Sequence, residues 1–394
     1  MLETLAPQKD DPILALMAAF RDDPRDAKLD LGVGVYRDAQ GRTPVMRAVK
    51  AAERRLVEAQ DTKAYVGLGG DPAFAAALSG VILDGAVPAD RLAMVATPGG
   101  TGAVRQGLEL LRMANPEARV WLSAPTWPNH PAILAHVGLE RRDYRYFDAE
   151  TGGVDFDGMM ADLAGVAAGD AVLLHGCCHN PTGADLAGPQ WRAVADLIAD
   201  KGAVAFVDMA YQGFGDGLAA DAAGLRTLLG IVPEAIVAVS CSKNFGLYRE
   251  RVGLLIAMAP SAGARGVAQG AMATLNRLNY SFPPDHGARV VETILHDDAL
   301  RADWMDELEA MRRHMLDLRR LLADALRERT GSDRFGFLAA HRGMFSRLPA
   351  TPDQVAAMRR DHGVYMVGDG RMNIAGLNAA MVPVLADAVV AVGV

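Results

Sequence analysis

Cysteine and positive charge are both scarce in this sequence of 394 residues. The three cysteines, the adjacent Cys177 and Cys178 and the separate Cys241, provide neither a disulfide framework nor a CxxC pair that binds a metal. The formal net charge of -8 creates no field that would attract nucleic acid or an anionic membrane surface. Chemistry on small molecules is therefore the default expectation.

The sequence also lacks a secretion signal and a run that could span a membrane. Residues 1–11 are polar and acidic, without the basic and apolar regions of a signal peptide. The most apolar late segment, residues 380–394, contains Asp387 and is too short to cross a bilayer. We therefore expect a cytoplasmic protein with no membrane partner.

Short apolar runs alternate with helical segments through the first three quarters of the chain. Six such runs predict an α/β domain, with a mostly parallel sheet flanked by helices. Charged side chains follow several of these predicted strands. Because the carboxyl ends of parallel strands meet at one edge of a sheet, we expect the functional site at that edge.

A different pattern begins at Trp304, where apolar residues recur every three or four positions as far as Leu326. This spacing predicts a long helix that leaves the first domain. The segments after it mix strands and helices. We expect residues 1–43 to form an N-terminal arm and part of a smaller α+β domain, residues 44–300 the large domain, and residues 301–394 the connecting helix and the rest of the small domain.

Lys243 follows the apolar run 235–239, which predicts a buried strand. Small hydroxyl side chains surround it in sequence, and Arg251 lies eight residues later. Burial and a nearby cation both lower the pKa of an amine, and a neutral lysine can form a Schiff base with a carbonyl. The other interpretation is that Lys243 caps the strand end or pairs with Glu250, and this stretch alone does not decide between the two.

Other predicted strand ends carry groups that suit a charged, planar ligand. The glycine-rich loop Thr97–Gly102 precedes a predicted helix and could bind an anion through its N–H groups, although a plain turn explains it equally well. Trp127, between two prolines, would either stack on a planar ligand or fill the core. Asp208 ends an apolar strand and needs a cation or a hydrogen-bond donor. Tyr65, in another glycine-rich loop, would by itself be assigned to the core.

Two patterns resemble known ligand motifs without matching them. His175 and His179 have the spacing of a helical metal site, but glycine and proline interrupt the segment and a third ligand is not evident, so we expect no metal. Gly32 and Gly34 resemble the start of a dinucleotide-binding fingerprint, but Arg37 occupies the third glycine position. The glycines more simply permit close approach of the backbone to another group.

Taken together, several segments resemble the aspartate and aromatic-amino-acid aminotransferases, the class I pyridoxal-phosphate enzymes of fold type I. The similarity extends over essentially the whole chain. The family's motifs match residues 175–183, 208–214, 240–253 and 370–376. Residues 281–284 and 341–346 make the subgroup that acts on aromatic amino acids the nearest. The resemblance implies the fold type I transferase architecture and the cofactor pyridoxal 5′-phosphate.

The resemblance also implies how the cofactor is bound. Lys243 would hold it covalently and shuttle a proton during catalysis, and Asp208 would keep its pyridine nitrogen protonated. Asn180 and Tyr211 would hydrogen-bond its phenolic oxygen, and Trp127 would stack on its ring. The phosphate would be bound by small and basic residues, joined by a tyrosine from a second subunit: Gly99, Gly100, Thr101, Ser240, Arg251 and Tyr65. His175 and His179 become supporting residues behind this site.

For the substrate, the resemblance implies that Arg371 binds the α-carboxylate, with Gly34 nearby and Trp127 and Asn180 also in contact. Arg277 would reach across a homodimer to the side-chain carboxylate of a dicarboxylic substrate. Without the family, both arginines would be placed on the solvated surface.

The expected reaction is a ping-pong transfer of an amino group. Tyrosine and phenylalanine, with tryptophan as a further candidate, and aspartate and glutamate would pass it to a 2-oxo acid such as 2-oxoglutarate. The alternatives are an aspartate-preferring aminotransferase and a pyridoxal-phosphate lyase or decarboxylase on the same fold. A non-catalytic regulator is disfavoured because Lys243, Asp208 and Arg251 are all present.

Overall fold

The computed structural model describes residues 1–7 and 11–394. Its helices are α1 (Pro12–Asp22), α2 (Arg47–Ala59), α3 (Pro72–Leu83), α4 (Gly99–Ala114), α5 (Asn129–Val137), α6 (Phe156–Leu163), α7 (Gly188–Lys201), α8 (Leu218–Leu229), α9 (Ala262–Asn279), α10 (His286–His296), α11 (Asp298–Thr330), α12 (Phe337–Ala340), α13 (Pro352–His362) and α14 (Met381–Ala391). Its strands are β1 (Leu29–Asp30), β2 (Leu92–Pro98), β3 (Arg119–Ala124), β4 (Glu140–Arg145), β5 (Ala171–His175), β6 (Val204–Met209), β7 (Ala235–Ser240), β8 (Val252–Met258), β9 (Phe345–Arg347), β10 (Val364–Tyr365) and β11 (Arg371–Asn373). Within these ranges, no helix is long and apolar enough to cross a bilayer.

Local sequence signals determine where several helices begin and end. Asp11 and Asp71 accept hydrogen bonds from the first free N–H groups of α1 and α3, and a proline follows each of them. Thr351 and Gln354 form a capping box at the start of α13. That helix ends at Gly363, whose φ of 67° lies in the left-handed region that favours glycine.

The central sheet has seven strands in the order β2-β8-β7-β6-β5-β3-β4. Neighbouring strands are parallel except at β8, which is antiparallel to both β2 and β7. Every residue of β7 and β8 is buried, as expected for strands covered by helices on both faces. The predicted α/β fold with a mostly parallel sheet is confirmed.

One strand of this sheet escapes the sequence pattern. The edge strand β4 has the sequence ERRDYR, and of its side chains only that of Tyr144 is buried. Charged side chains at an edge discourage pairing with another chain, so such a strand carries no apolar run. The six predicted runs are therefore one fewer than the seven strands of the observed sheet.

Helix α11 confirms the predicted long helix and joins two hydrophobic cores. Its residues from Trp304 to Met315 pack with the core of the sheet. Its residues from Leu318 to Leu326 pack instead with a second core formed by α13, α14 and the segment around β1. Two cores and one shared helix agree with a large and a small domain, but the boundaries at residues 43 and 300 stay a prediction.

The beginning of α11 is attached to the loop that follows β7. The indole N–H of Trp304 donates to the carbonyl of Asn244 at 2.7 Å. Its ring also stacks on Phe245, with centroids 4.4 Å apart and planes 4° apart. Both contacts lie next to Lys243, so the helix that joins the two cores is fixed beside that side chain.

The second core gives a direct test of the packing. Leu322 is completely buried there, whereas its neighbour Leu321 is 47% exposed. We expect Leu322→Ala to lower the free energy of unfolding by about 2–5 kcal/mol, because it leaves a cavity. The matched Leu321→Ala should change it by no more than about 0.5 kcal/mol. Urea denaturation of both variants checks this, and equal losses would contradict the assignment of α11 to this core.

Candidate active site

A cleft opens where the carboxyl ends of β5, β6 and β7 meet the beginning of α4. It is lined by Gly34, Gly100, Thr101, Trp127, His175, Asn180, Asp208, Ala210, Tyr211, Ser240, Ser242, Lys243, Tyr248 and Arg251. Most of the residues singled out from the sequence are therefore brought together, across more than two hundred positions of chain. Gly99 and His179 are the chain neighbours of the lining residues Gly100 and Asn180, and Arg371 packs on Phe345, whose ring contacts Tyr211.

Lys243 is deeply placed in the cleft. Its ammonium nitrogen lies 4.7 Å from the centre of the Tyr211 ring. Burial lowers the pKa of this amine, and the charge of Arg251 lowers it further, while the charge of Asp208 opposes the shift. No ion pair joins Lys243 to Glu250 in the part of the chain that the structure describes, so the pairing considered as an alternative does not occur.

Asp208 is buried at the end of β6 and accepts a hydrogen bond from Nε2 of His130 at 3.0 Å. Burial raises the pKa of Asp208, but this hydrogen bond and the nearby His130 and Lys243 outweigh it, so the pKa lies below the ordinary value. The carboxylate is thus kept ionised in an interior position. Its negative charge is available to a cationic ligand in the cleft.

A hydrogen-bonded chain leads away from Asp208. Nδ1 of His130 pairs with the hydroxyl of Thr126 at 2.8 Å. The same hydroxyl pairs with Nε2 of His175 at 3.1 Å. Burial lowers the pKa of His175 to about 3, so His175 is the neutral end of this chain.

His179 lies one layer deeper and is fully used in structural contacts. Its Nε2 pairs with the Ser123 hydroxyl at 3.0 Å and its Nδ1 with the Thr182 hydroxyl at 2.9 Å. Its ring stacks on Tyr146, with centroids 4.0 Å apart. Burial holds the pKa of His179 well below its usual range. Both ring nitrogens of His179, and Nε2 of His175, therefore contact hydroxyl groups.

Arg371 occupies the small-domain side of the cleft and is only 4% exposed. One of its terminal nitrogens donates to the carbonyl of Gly32 at 2.9 Å, and its guanidinium lies 4.7 Å from the centre of the Phe345 ring. Its Nε is buried without a hydrogen-bond partner, and no carboxylate pairs with it among the described residues. A buried guanidinium of this kind is suited to an incoming carboxylate.

The absence of a side chain at Gly34 lets its backbone lie close to the ring of Phe345. A Cβ at this position would lie 2.8 Å from Cζ of Phe345, so a larger residue would collide with that ring. The sequence had indicated that Gly34 permits close approach of the backbone, and the group that approaches is Phe345.

Tyr65 and Arg277 are not brought to the cleft of their own chain. Tyr65 is 84% exposed, so its assignment to the core on local sequence alone is wrong. Its ring stacks on Phe282 at 4.6 Å, and the Arg277 guanidinium lies 5.9 Å from the same ring. Arg277 also donates to the hydroxyl of Ser281 at 2.6 Å. The two residues form one exposed patch away from Lys243.

Sequence reasoning missed several residues of the site. His130 lies three positions after Trp127, and the two rings contact at 5.1 Å, but nothing in the sequence links it to Asp208. Tyr248, whose oxygen accepts from the N–H of Tyr36 at 3.1 Å, gave none beyond its place in a recognised motif. Phe345 was part of a matched segment, but its position beneath Arg371 depends on the fold.

Comparison with known proteins identifies the family. The sequence model of the family described as aminotransferase class I and II matches residues 26–389. The chain belongs to this family. The aromatic-amino-acid aminotransferase of Paracoccus denitrificans is 59% identical over 394 residues, covering 100% of both chains. The aspartate aminotransferase of Escherichia coli is 44% identical over 395 residues, also covering 100% of both.

A solved structure agrees with this family membership. The aromatic-amino-acid aminotransferase of Burkholderia pseudomallei, covalently bound to pyridoxal phosphate, is 40% identical with a TM-score of 0.97, covering 100% of this chain and 99% of that chain. The protein is thus an aminotransferase that depends on pyridoxal phosphate, and the predicted fold, enzyme class and cofactor are confirmed.

The phosphate end of this cofactor fits the start of α4. Free N–H groups at a helix N-terminus, together with Arg251, favour an anion. A Cβ on Gly100 would lie 2.8 Å from Cβ of Ser240, and one on Gly99 would lie 2.5 Å from a terminal nitrogen of Arg251. Glycine at these two positions keeps the space beside Ser240 and Arg251 free of side chains.

The ring end of the cofactor fits the opposite side. Asp208 offers an anion for the pyridine nitrogen, and Lys243 offers an amine for the aldehyde. Nδ2 of Asn180 donates to the Tyr211 hydroxyl at 3.4 Å, while Oδ1 of Asn180 is buried without a partner. An unpaired buried polar atom is one that a bound ligand commonly satisfies. The residues therefore fit both the charge and the planarity of pyridoxal phosphate.

The lowered pKa of Lys243 predicts its reactivity. In protein freed of cofactor, acylation of Lys243 by a small reagent should reach half its maximal rate below pH 10.5, the ordinary lysine value, because burial favours the neutral amine. Peptide mass spectrometry across a pH series measures this rate. Lys243→Ala supplies the control that assigns the labelled peptide, and a midpoint at or above pH 10.5 would contradict the buried placement.

Proposed function

We propose that this aminotransferase takes the amino group from aromatic and from dicarboxylic L-amino acids and passes it to a 2-oxo acid such as 2-oxoglutarate. The aromatic part rests on the 59% identity to the aromatic-amino-acid aminotransferase of Paracoccus denitrificans. The observation that carries the amino-acid part is Arg371, a buried guanidinium that has no carboxylate partner among the described residues and packs on Phe345, whose ring contacts Tyr211 of the cleft. Tyrosine and phenylalanine are the proposed aromatic donors, with tryptophan as a further candidate.

In this proposal, Arg371 binds the substrate α-carboxylate through two parallel hydrogen bonds. The ring of Phe345 supports the guanidinium from one side, and the carbonyl of Gly32 orients one of its nitrogens. Because the carboxylate is held in the clamp, it is kept from leaving as carbon dioxide. This favours removal of the α-proton over the decarboxylase alternative.

Lys243 is proposed to move a proton from the substrate α-carbon to C4′ of the cofactor, and to move one in the reverse direction when the second substrate reacts. Because burial lowers the pKa of this amine, a larger fraction of it is neutral, and able to accept a proton, than of an ordinary lysine. When bound, pyridoxal phosphate supplies an electron sink for the charge left on that carbon. Asp208, kept ionised through His130, stabilises positive charge on the pyridine nitrogen. Tyr211 and Asn180, which hydrogen-bond each other in the cleft, would hydrogen-bond the phenolic oxygen.

We further propose a homodimer in which each subunit completes the other's site. The exposed positions of Tyr65 and Arg277, away from their own cleft, support this arrangement. The neighbouring Leu278 is an exposed apolar side chain of the kind that an interface covers. Tyr65 would then contact the phosphate, and Arg277 the side-chain carboxylate, in the partner's cleft. The cytoplasmic location stays a prediction.

Aspartate preference is the second candidate, supported by the 44% identity to the aspartate aminotransferase of Escherichia coli. The two candidates differ in the ratio of kcat/KM for phenylalanine and for aspartate. A ratio well below one, with 2-oxoglutarate as acceptor, would favour aspartate preference and overturn the aromatic proposal.

The two substrate arginines should have separable roles. Arg371→Ala should lower kcat/KM for every amino-acid donor by about 10²- to 10³-fold, since it removes one partner of a buried charge pair. Arg277→Ala should lower kcat/KM for aspartate by about 10- to 100-fold, the value of a charged hydrogen bond. Phenylalanine should be nearly unaffected by the second change. Steady-state kinetics with both donors measures this, and equal losses in Arg277→Ala would contradict the division of roles.

Mixed dimers test whether the sites are shared. A hybrid of a Lys243→Ala chain with an Arg277→Ala chain has one site with both residues intact only if Arg277 acts across the interface. We expect this hybrid, purified by two affinity tags, to transaminate aspartate although neither parent does so efficiently. A hybrid of the wild-type chain with a Lys243→Ala, Arg277→Ala double variant is the control and should stay poor with aspartate. No recovery in the first hybrid would exclude shared sites.

A further inference from the structure

A buried polar cluster lies beneath the exposed side chain of Arg277. At its centre, Asn276 is 0% exposed and sits in the last turns of α9. Its Nδ2 donates to the carbonyl of Leu68 at 2.7 Å and to that of Ala96 at 3.2 Å. Its Oδ1 accepts from the hydroxyl of Tyr280 at 2.6 Å and from Nε2 of Gln106. Both donors and both acceptor positions of this amide are therefore occupied.

The partners of Asn276 belong to separate parts of the chain. Leu68 lies in the irregular loop that carries Tyr65, and Ala96 lies in β2. The loop is tied to the same strand by a second bond, from the N–H of Ala96 to the carbonyl of Gly69 at 2.8 Å. Asn276 is also the immediate chain neighbour of Arg277. One amide thus connects the backbone under Tyr65 with the backbone under Arg277.

The exposed side chains above this cluster also share a contact. Tyr65 stacks on Phe282, and the Arg277 guanidinium lies over the same ring. The side chains of Tyr65 and Arg277 extend into solvent in the single chain. Their contacts with Phe282 do not by themselves fix their direction toward a second subunit. Their placement depends on the backbone segments that Asn276 joins.

We propose that Asn276 is a positioning residue that acts on the active site of the partner subunit. It fixes the position of the Tyr65 loop relative to the end of α9, so that Tyr65 and Arg277 enter the partner's cleft together. This inference rests on the proposed homodimer with shared sites. It adds a buried residue, remote from Lys243 of its own chain, to the groups that determine how tightly the partner's cofactor phosphate and dicarboxylic substrate are bound.

The physical basis is the cost of an unsatisfied carbonyl. Asn276→Leu keeps the volume of the side chain but leaves the carbonyls of Leu68 and Ala96 without their donor, and unpaired buried carbonyls are relieved by backbone movement or water. A displacement on the order of 1 Å at a binding group can lower a rate by about 10²-fold. Amide hydrogen exchange of residues 64–70 should accordingly become faster in this variant.

Mixed dimers separate an effect on the partner from an effect within the same subunit. In the trans hybrid, Asn276→Leu is placed on a Lys243→Ala chain and paired with a wild-type chain. In the cis hybrid, Asn276→Leu is placed on the chain that keeps Lys243, and the partner carries Lys243→Ala alone. Each hybrid has a single intact lysine, so each reports one site.

In the trans hybrid, we expect kcat/KM for aspartate to fall by about tenfold or more, with a smaller loss for phenylalanine. The cofactor should also dissociate faster from the site that contains Lys243. The change in cofactor absorbance after dilution without substrate measures this rate. In the cis hybrid, both quantities should stay within about twofold of the parent hybrid, the size of effect that leaves a binding geometry intact. A loss confined to the cis hybrid would show that Asn276 acts inside its own subunit, equal losses would show a general disturbance of the fold, and either result, or no loss in both hybrids, would overturn the proposal.

Two further variants keep the proposal testable if Asn276→Leu fails to fold. Tyr280→Phe removes one hydrogen bond to Asn276 and keeps the rest, so a smaller loss confined to the trans hybrid is expected; its absence would count against the proposal. Asn279→Ala is the control, since Asn279 is exposed on the same helix and its side chain contacts Glu109 at 2.9 Å. It should leave both hybrids unchanged. If the hybrid of Lys243→Ala with Arg277→Ala shows no recovery, the shared site itself is absent, which is distinct from a failure of Asn276 alone.

Discussion

The structure depends on keeping an amine and a carboxylate inside the protein, near each other but not joined in an ion pair. Lys243 loses its proton more readily because it is buried, whereas Asp208 keeps its negative charge because His130 donates to it. A direct ion pair would have stabilised both charges and removed the amine from chemistry. The interior instead supplies each group with a separate partner and leaves space between them for a planar, charged molecule.

The sheet topology produces this separation. Asp208 lies at the end of β6, and Lys243 follows the end of the adjacent β7, so parallel pairing places them at one edge. The antiparallel β8 then returns the chain, which brings Arg251 to the same edge beside the N-terminus of α4. Arg251 and the helix N-terminus therefore lie at one end of the cleft, and the carboxylate lies at the other. The orientation of a phosphorylated heterocycle follows from this distribution of charge.

Much of this could be predicted from sequence because the signals are local. The apolar runs of β6 and β7, followed by Asp208 and Lys243, indicate both strand and site. Other features depend on contacts between distant parts of the chain. His130 is recognisable only once Asp208, 78 positions later, accepts its hydrogen bond. Tyr65 was misassigned because a tyrosine in a glycine-rich loop gives no indication that the fold leaves its side chain exposed. The charged edge strand β4 lacked the periodicity on which prediction relies.

The attachment of α11 beside Lys243 has a mechanical consequence. Trp304 fixes the start of this helix to Asn244 and Phe245, while its far end is embedded in the other hydrophobic core together with Met372, the neighbour of Arg371. The helix therefore connects the residues beside the amine to the core that holds the guanidinium. A change in its tilt would alter the distance between Arg371 and Lys243, and with it the space left for a bound carboxylate.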